Sequence, residues 1–248
     1  MNAITYPTKV RWIKEVTADP LDHYGKKNRE KIRAFLKATD EISVDYVPLT
    51  DELLKWFQPL YEADISSREN PATFDVRSRT LNHPTGGDYW MQIITEAGNR
   101  IGATIFSVKP DRLNLAFKVF PHQWPVKKRQ ASPSFCADYF ITQYAREIDK
   151  QFVSYGMDRN PYGPNASIGL AVFKLSIGCY PYLPTTSVDY IDLDLASLDE
   201  NACVLKKPDS GVRISEAYLV TDQEGVDAFS QITSYPELLS VTVIERDH

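Results

Sequence analysis

The sequence predicts an α/β chain built on a mixed sheet of six or seven strands flanked by helices. Three observations predict it. In the segment from Arg112 to Phe120, Leu113, Leu115, Phe117 and Val119 alternate with Arg112, Asn114, Ala116 and Lys118, the period of two of a strand with unlike faces. Two further strand-like runs, Trp90 to Glu96 and Ile101 to Val108, precede it across the turns Ala97-Gly98-Asn99 and Lys109-Pro110-Asp111, which makes an antiparallel meander. Ser132-Pro133 then starts a helix, with Ser as N-cap and Pro in the first turn.

The remaining elements follow in order. A strand is expected from Val10 to Val16, then a basic helix over 26–38 with Ile32, Phe35 and Leu36 inward. Its lysines and arginines read as a solvated face. Ile42 to Val47 reads as a strand. Thr50 caps a helix that begins with Asp51 and Glu52, at the end of the dipole that favours anions, and Pro59 interrupts it. Residues 66–88 form a long connection rich in turn formers. After the meander comes a Pro-punctuated loop, 121–131, and a helix expected from 133 to 155. Ala137, Ile141, Tyr144, Ala145, Ile148 and Phe152 are its stripe and Gly156 its stop. A short strand at Met157 to Asn160 and a turn at 161–164 lead to a second helix, Ala166 to Ile177, capped by Asn165 and ended by Gly178. Strands at Val188 to Leu195, Val212 to Val220 and Leu239 to Glu245, with a short helix near Gly225 to Ile232, complete the chain. These divide as an N-terminal part, 1–88, a core, 89–195, and C-terminal strands, 196–248, that finish the sheet of one compact domain.

Composition limits the function classes. Apolar residues are 43% of the 248, enough for a sizeable core. The formal net charge of −5 lacks the basic footprint of a general nucleic-acid binder. The three cysteines, Cys136, Cys179 and Cys203, have neither disulfide-framework nor zinc spacing, and no HxH or HExxH is present, so no metal is expected. No run approaches a membrane span or the core of a signal peptide. The expectation is a cytoplasmic protein without a membrane partner; a homodimer stays open.

The chemistry concentrates between residues 90 and 195. The loop Lys127-Lys128-Arg129-Gln130-Ala131-Ser132 feeds a helix N-terminus, where unpaired N–H groups and the positive dipole end suit a phosphate. A solvated basic loop is the plainer alternative. Asp158 ends the short strand, where open α/β sheets present ligands, with Asn160 beside it. Tyr162, Tyr180 and Tyr182 offer phenols. Glu62, Asp64, His83 and His122 lie where they line a cleft or simply face water.

The run YGPNASIGLAVFKLSIGCYP resembles the GNAT acyltransferase segment in which an Asn-capped helix carries an aromatic residue near its end and stops at Gly. Phe173-Lys174 with Gly178 is closer to the Fem-type branch, which includes tRNA-dependent aminoacyl transferases and related N-acyltransferases. The resemblance implies a GNAT-like fold and transfer of an acyl group from acetyl-CoA or another acyl-CoA to a small-molecule or peptide amine by direct attack. The alternatives are an aminoacyl-tRNA donor or a non-catalytic binding module. Within that reading the catalytic candidates are Asp158, from its strand end, Tyr180, as a nearby phenol, and Lys174, at the place of the family's tyrosine, as a contact for a phosphate or an acceptor carboxylate. For the donor it implies the Val119 backbone as oxyanion donor, with Lys128, Arg129, Gln130, Ser132, Ser134, Asn165 and Phe173. Two departures stand out: the phosphate loop lacks glycines, and Lys174 occupies the place of the usual tyrosine acid.

Overall fold

The computed structural model describes residues 3–39, 41–67, 73–84, 86–184 and 188–246. The first half holds β1 (Ala3–Pro7), β2 (Lys9–Glu15), α1 (Lys26–Leu36), β3 (Ile42–Pro48) and α2 (Asp51–Ser66). A single turn, α3 (Val76–Arg79), precedes the meander β4 (Tyr89–Glu96), β5 (Asn99–Val108) and β6 (Arg112–Val119). Then follow α4 (Pro133–Glu147), β7 (Phe152–Arg159), α5 (Ile168–Ser176), β8 (Tyr180–Tyr182) and β9 (Tyr190–Asp194). The chain closes with β10 (Ala202–Leu205), β11 (Glu216–Thr221), α6 (Gln223–Phe229) and β12 (Ser240–Glu245). The long connection expected over 66–88 includes α3; its residues 68–72 and 85 lie outside the described set.

The main sheet has seven strands in the order β3-β4-β5-β6-β7-β2-β8. The meander pairs antiparallel, with register shifts at Ile94/Thr95 and at Ile105/Phe106. At the start of β7 the Gln151 and Phe152 N–H groups both donate to the Asp111 carbonyl at the start of β6, so these two strands begin side by side and the sheet is mixed. Two of the expected C-terminal strands do not extend this sheet. β10, β11 and β12 form a sheet of their own, and β9 pairs antiparallel with β1. β1 and β8 are short strands whose partners are distant in sequence, and β10 has only four residues, so all three carry little local signal.

Packing groups the chain into two compact units. One comprises Val16–Asp22 and Lys26–Val153. Its core sets the stripe Leu53, Leu54, Phe57, Tyr61 and Ile65 of α2 against Met91, Ile93, Ala103, Ile105 and Val119 of the meander. Thr50 caps α2, accepting from Leu53 N at 3.3 Å. The other comprises Met1–Glu15, His23–Gly25 and Ser154–His248, with a cluster of Tyr6, Leu195, Ala202, Val204 and Val220.

The helix after the basic loop is shorter than expected. It begins as read, with Ser132 Oγ accepting from Phe135 N at 3.3 Å, but stops at Glu147 rather than Tyr155. Asp149 takes a left-handed φ of 54°, its N–H donates to Arg146 O, and the Lys150 N–H donates to Ala145 O. This is the paired carbonyl closure that normally uses glycine, made here by a non-glycine residue. The freed residues 152–159, rich in Phe, Val and Tyr, become strand β7. Helix α5 is also corrected at its start: Ser167, not Asn165, caps it, accepting from Gly169 N, while Asn165 Nδ2 donates to the Pro161 carbonyl. Gly178 does end it, at φ 87°, with Gly178 N–H on Leu175 O and Cys179 N–H on Lys174 O. A β-carbon at Gly178 would also collide with His23.

Candidate active site

The spacing of Lys174 and Gly178 has a physical meaning. Gly178 is the left-handed residue that closes α5, which puts Lys174 in the helix's last turn, with its carbonyl already fixed by Cys179 N–H. A cation there meets the negative end of the helix dipole. Its side chain, 6% exposed, reaches Asp158 near the end of β7, which is 12% exposed. Lys174 Nζ donates to Asp158 Oδ2 at 2.6 Å, and Tyr162 Oη donates to the same oxygen at 2.7 Å. Trp12 Nε1 on β2 donates to Tyr162 Oη at 2.6 Å, and Lys174 Nζ stands 5.7 Å from the Trp12 ring centroid. The chain of donors therefore runs in one direction, from Trp12 through Tyr162 onto Asp158. Asp158 Oδ2 carries both donors; among the described residues no protein donor reaches Oδ1.

Burial sets the protonation of this group. Desolvation holds the Lys174 ammonium below its ordinary pKa, and the Asp158 charge and hydrogen bond pull partly back. Burial pushes the Tyr162 phenol well above its ordinary pKa, and the Asp158 charge adds to that. Tyr162 thus stays a proton donor to Asp158 at any physiological pH.

Gly156 helps to aim Asp158. Neighbouring strand residues point to opposite faces. On β2, Arg11 bonds Ser154 Oγ at 3.0 Å, whereas Trp12 faces Tyr162 and Lys174. Between Ser154 and Asp158 the strand passes through Gly156 at φ 82°, which interrupts the pleat and lets the later carboxylate join the Trp12 side.

Of the three catalytic candidates, the structure brings Asp158 and Lys174 together. Tyr180 is placed elsewhere: it pairs with Ile13 in the β2–β8 register, so it lies on the face away from Trp12. Its hydroxyl donates to Glu15 Oε1 at 3.3 Å and its ring lies 4.5 Å from the Arg213 guanidinium. Burial and Glu15 raise its pKa to about 12.

The donor candidates sit in varied surroundings. Arg129 is 7% exposed and donates from Nε to Oε1 of fully buried Glu96 at 3.3 Å. Its guanidinium also donates to Ala38 O and packs beside the rings of Phe35 and Trp124. Glu96 further accepts the Val126 N–H at 3.0 Å and the Lys127 N–H at 3.3 Å. A carboxylate of the chain itself thus takes the charge of Arg129 and two N–H groups at the start of the loop. Lys127 Nζ pairs with Glu41 at 2.8 Å. Lys128 and Gln130 are exposed, and the Ser134 carbonyl accepts from Lys118 Nζ at 3.2 Å. Val119 ends β6 opposite Ala103, and Phe173 is half-buried on α5, its carbonyl accepting from Ser176 Oγ.

Asn160, read as a ligand-facing residue, is a buried staple: Nδ2 donates to Pro7 O and Leu205 O, and Oδ1 accepts from Leu205 N, all at 2.9–3.0 Å. Glu62 simply accepts from Gln58 on the exposed side of α2. Sequence reasoning missed Trp12 and Glu96, because each meets its partners only in the folded chain.

No protein-family model matches the sequence, and no curated protein matches it. Solved structures do. FemX matches with a TM-score of 0.52 at 15% identity, over 75% of this chain and 61% of the FemX chain. L-PGS from Bacillus licheniformis matches at 0.48 and 13% identity, over 77% of this chain and 61% of that one. A tandem GNAT protein from the clavulanic acid biosynthesis pathway matches at 0.38 and 15% identity, over 73% and 53%. The chain spans less than two thirds of each of these proteins. The fold is GNAT-like, of the kind seen in FemX. No described helix is long and apolar enough to cross a membrane.

Proposed function

We propose that this chain is a transferase that passes an acyl group from an activated donor to an amine. The observation that carries the reading is the Lys174–Asp158 pair: a buried lysine in the last turn of α5, steadied by a carboxylate whose second oxygen has no described protein donor.

In this reading the amine nitrogen attacks the donor carbonyl carbon. A C–N bond forms and the carbonyl π electrons move onto oxygen. The Lys174 ammonium faces that developing oxyanion in a desolvated setting, where its charge counts for more than it would in water. Asp158 Oδ1 accepts the proton that the amine loses, while Tyr162 and Trp12 hold the carboxylate in place. Collapse re-forms the carbonyl, breaks the bond to the leaving group, and returns the proton to it. Tyr180, on the other face of β2, has no part in these steps.

The donor read from the sequence is an acyl-CoA. One observation favours a second reading, an aminoacyl ester carried on tRNA: Glu96 already engages Arg129 and two N–H groups of the loop that would hold the CoA pyrophosphate. The acceptor is an amine in both readings. Buried Cys136 and Cys203 stand outside any disulfide, which accords with a reducing, cytoplasmic setting.

The test is transfer of label from acetyl-CoA, and separately from charged tRNA, onto a panel of small-molecule and peptide amines. Amide product from either donor supports the reading and identifies the donor. No product from either, across the whole panel, removes it in favour of a binding module.

A further inference from the structure

A second site lies on the Tyr180 face, away from the Lys174 group. A pocket of about 200 Å³ is lined by Lys206, Lys207, Ser210, Arg213, Ser215 and Glu216, with Pro208 and Asp209 at its turn. Lys206 is neutralised within the pocket wall, at 2.9 Å from Glu216 and 3.9 Å from Asp209, the latter 88% exposed. Lys207 and Arg213 are different: among the described residues neither has a carboxylate partner, and each is held against a tyrosine ring. Lys207 Nζ stands 4.6 Å from the Tyr190 centroid and Arg213 Cζ 4.5 Å from that of Tyr180.

Their backbones are fixed as well. Lys207 N–H donates to Thr5 O. The Arg213 segment runs alongside β8, with a bridge to Tyr182, Leu183 N–H on Val212 O and Ile214 N–H on Pro181 O. Arg213 Nη2 donates to the Glu237 carbonyl at 2.9 Å, which locks the guanidinium plane. The result is a planar donor held by the Glu237 carbonyl and the Tyr180 ring, and a second cation, with Ser210 and Ser215 in the same pocket lining.

We infer that this pocket binds a phosphate group. Arginine presents a fixed fork that suits phosphate oxygens, lysine supplies a point charge, and hydroxyls reach the remaining oxygens of a tetrahedral anion. A phosphate presents more oxygens, in more directions, than a planar carboxylate. The ring contacts hold both cations without neutralising them, so the pocket keeps its attraction for an anion. The inference is independent of the acyl-transfer reading, since none of these residues belongs to the Lys174 group.

Calorimetric titration of the full chain at constant ionic strength tests it, with inorganic phosphate, glycerol 3-phosphate and acetate as probes. Saturable phosphate binding is expected, weakened about tenfold by Arg213→Gln and by Lys207→Gln, but unchanged by Lys55→Gln, an exposed lysine on α2 with the same charge change. Circular dichroism confirms that each variant is folded. Glycerol 3-phosphate binding as well as inorganic phosphate assigns the site to a phosphate ester; inorganic phosphate alone assigns it to free phosphate. Absence of phosphate binding, equal binding of acetate, or equal loss in all three variants overturns the inference.

Discussion

The Glu96 carboxylate holds the loop before α4 from inside: it pairs with Arg129 at 3.3 Å and accepts the Val126 and Lys127 N–H groups. Breaking a buried pair strands the remaining charge, which costs far more than the pair contributes. Glu96→Ala should therefore lower unfolding free energy by about 3–5 kcal/mol, read from urea denaturation. A loss below about 1 kcal/mol, the scale of an exposed pair, would show that the loop does not depend on this carboxylate.

Ser132 is expected to contribute to stability as an N-cap. Its hydroxyl accepts from Phe135 N–H. Ser132→Ala should destabilise by about 1 kcal/mol, and Ser132→Asp should restore that loss. Thermal unfolding of the two variants measures it.

Asn160 ties the end of β7 to β1 and β10 through three hydrogen bonds. Asn160→Leu removes all three and leaves the amide groups of Pro7 and Leu205 without their partner. A loss of about 3 kcal/mol follows from roughly 1 kcal/mol per bond. Chemical denaturation checks it; an unchanged midpoint would contradict the staple.

Tyr180 titrates late. Its folded pKa is raised to about 12 by burial and Glu15, against about 10 when unfolded. The folded chain keeps this proton where the unfolded chain loses it. The stability contributed by Tyr180 is therefore fully present below pH 10 and falls away as pH rises toward 12. Ultraviolet phenolate titration should show one late proton fewer in Tyr180→Phe, with a shallower alkaline loss of stability.

Much of this fold is legible in the sequence because the signals are local. The strand at 112–119, the turn at 97–98, and the caps Thr50 and Ser132 each act within a few residues. The alternation itself breaks at the register shift beside Ile105/Phe106: Leu115 lies opposite Phe106 and Phe117 opposite Ile105, so Leu113 and Leu115 face one side and Phe117 and Val119 the other. The end of α4 was hidden because Asp149 adopts the left-handed closure that a reader assigns to glycine. The candidate site divides in the same way. Lys174 with Gly178 marks a helix end and is readable, and Asp158 sits at a strand end. Trp12 meets Tyr162 across 150 positions, and no spacing rule reports that contact. The pairing of Arg129 with Glu96, thirty-odd residues earlier, leaves no local signal either, because Glu96 looks in sequence like an ordinary strand end.

The central claim is that Lys174, steadied by Asp158, supplies the charge at the transfer centre. It is tested most directly by the single-turnover rate of amide formation, with whichever donor the wild type uses, in Lys174→Met. The companion Lys174→Met/Asp158→Leu leaves no unpaired buried charge and keeps the comparison on folded protein. Loss of one oxyanion-stabilising donor predicts a fall of about 100-fold or more in both variants, with donor affinity within about threefold of wild type. A folded Lys174→Met that transfers at the wild-type rate would contradict the claim.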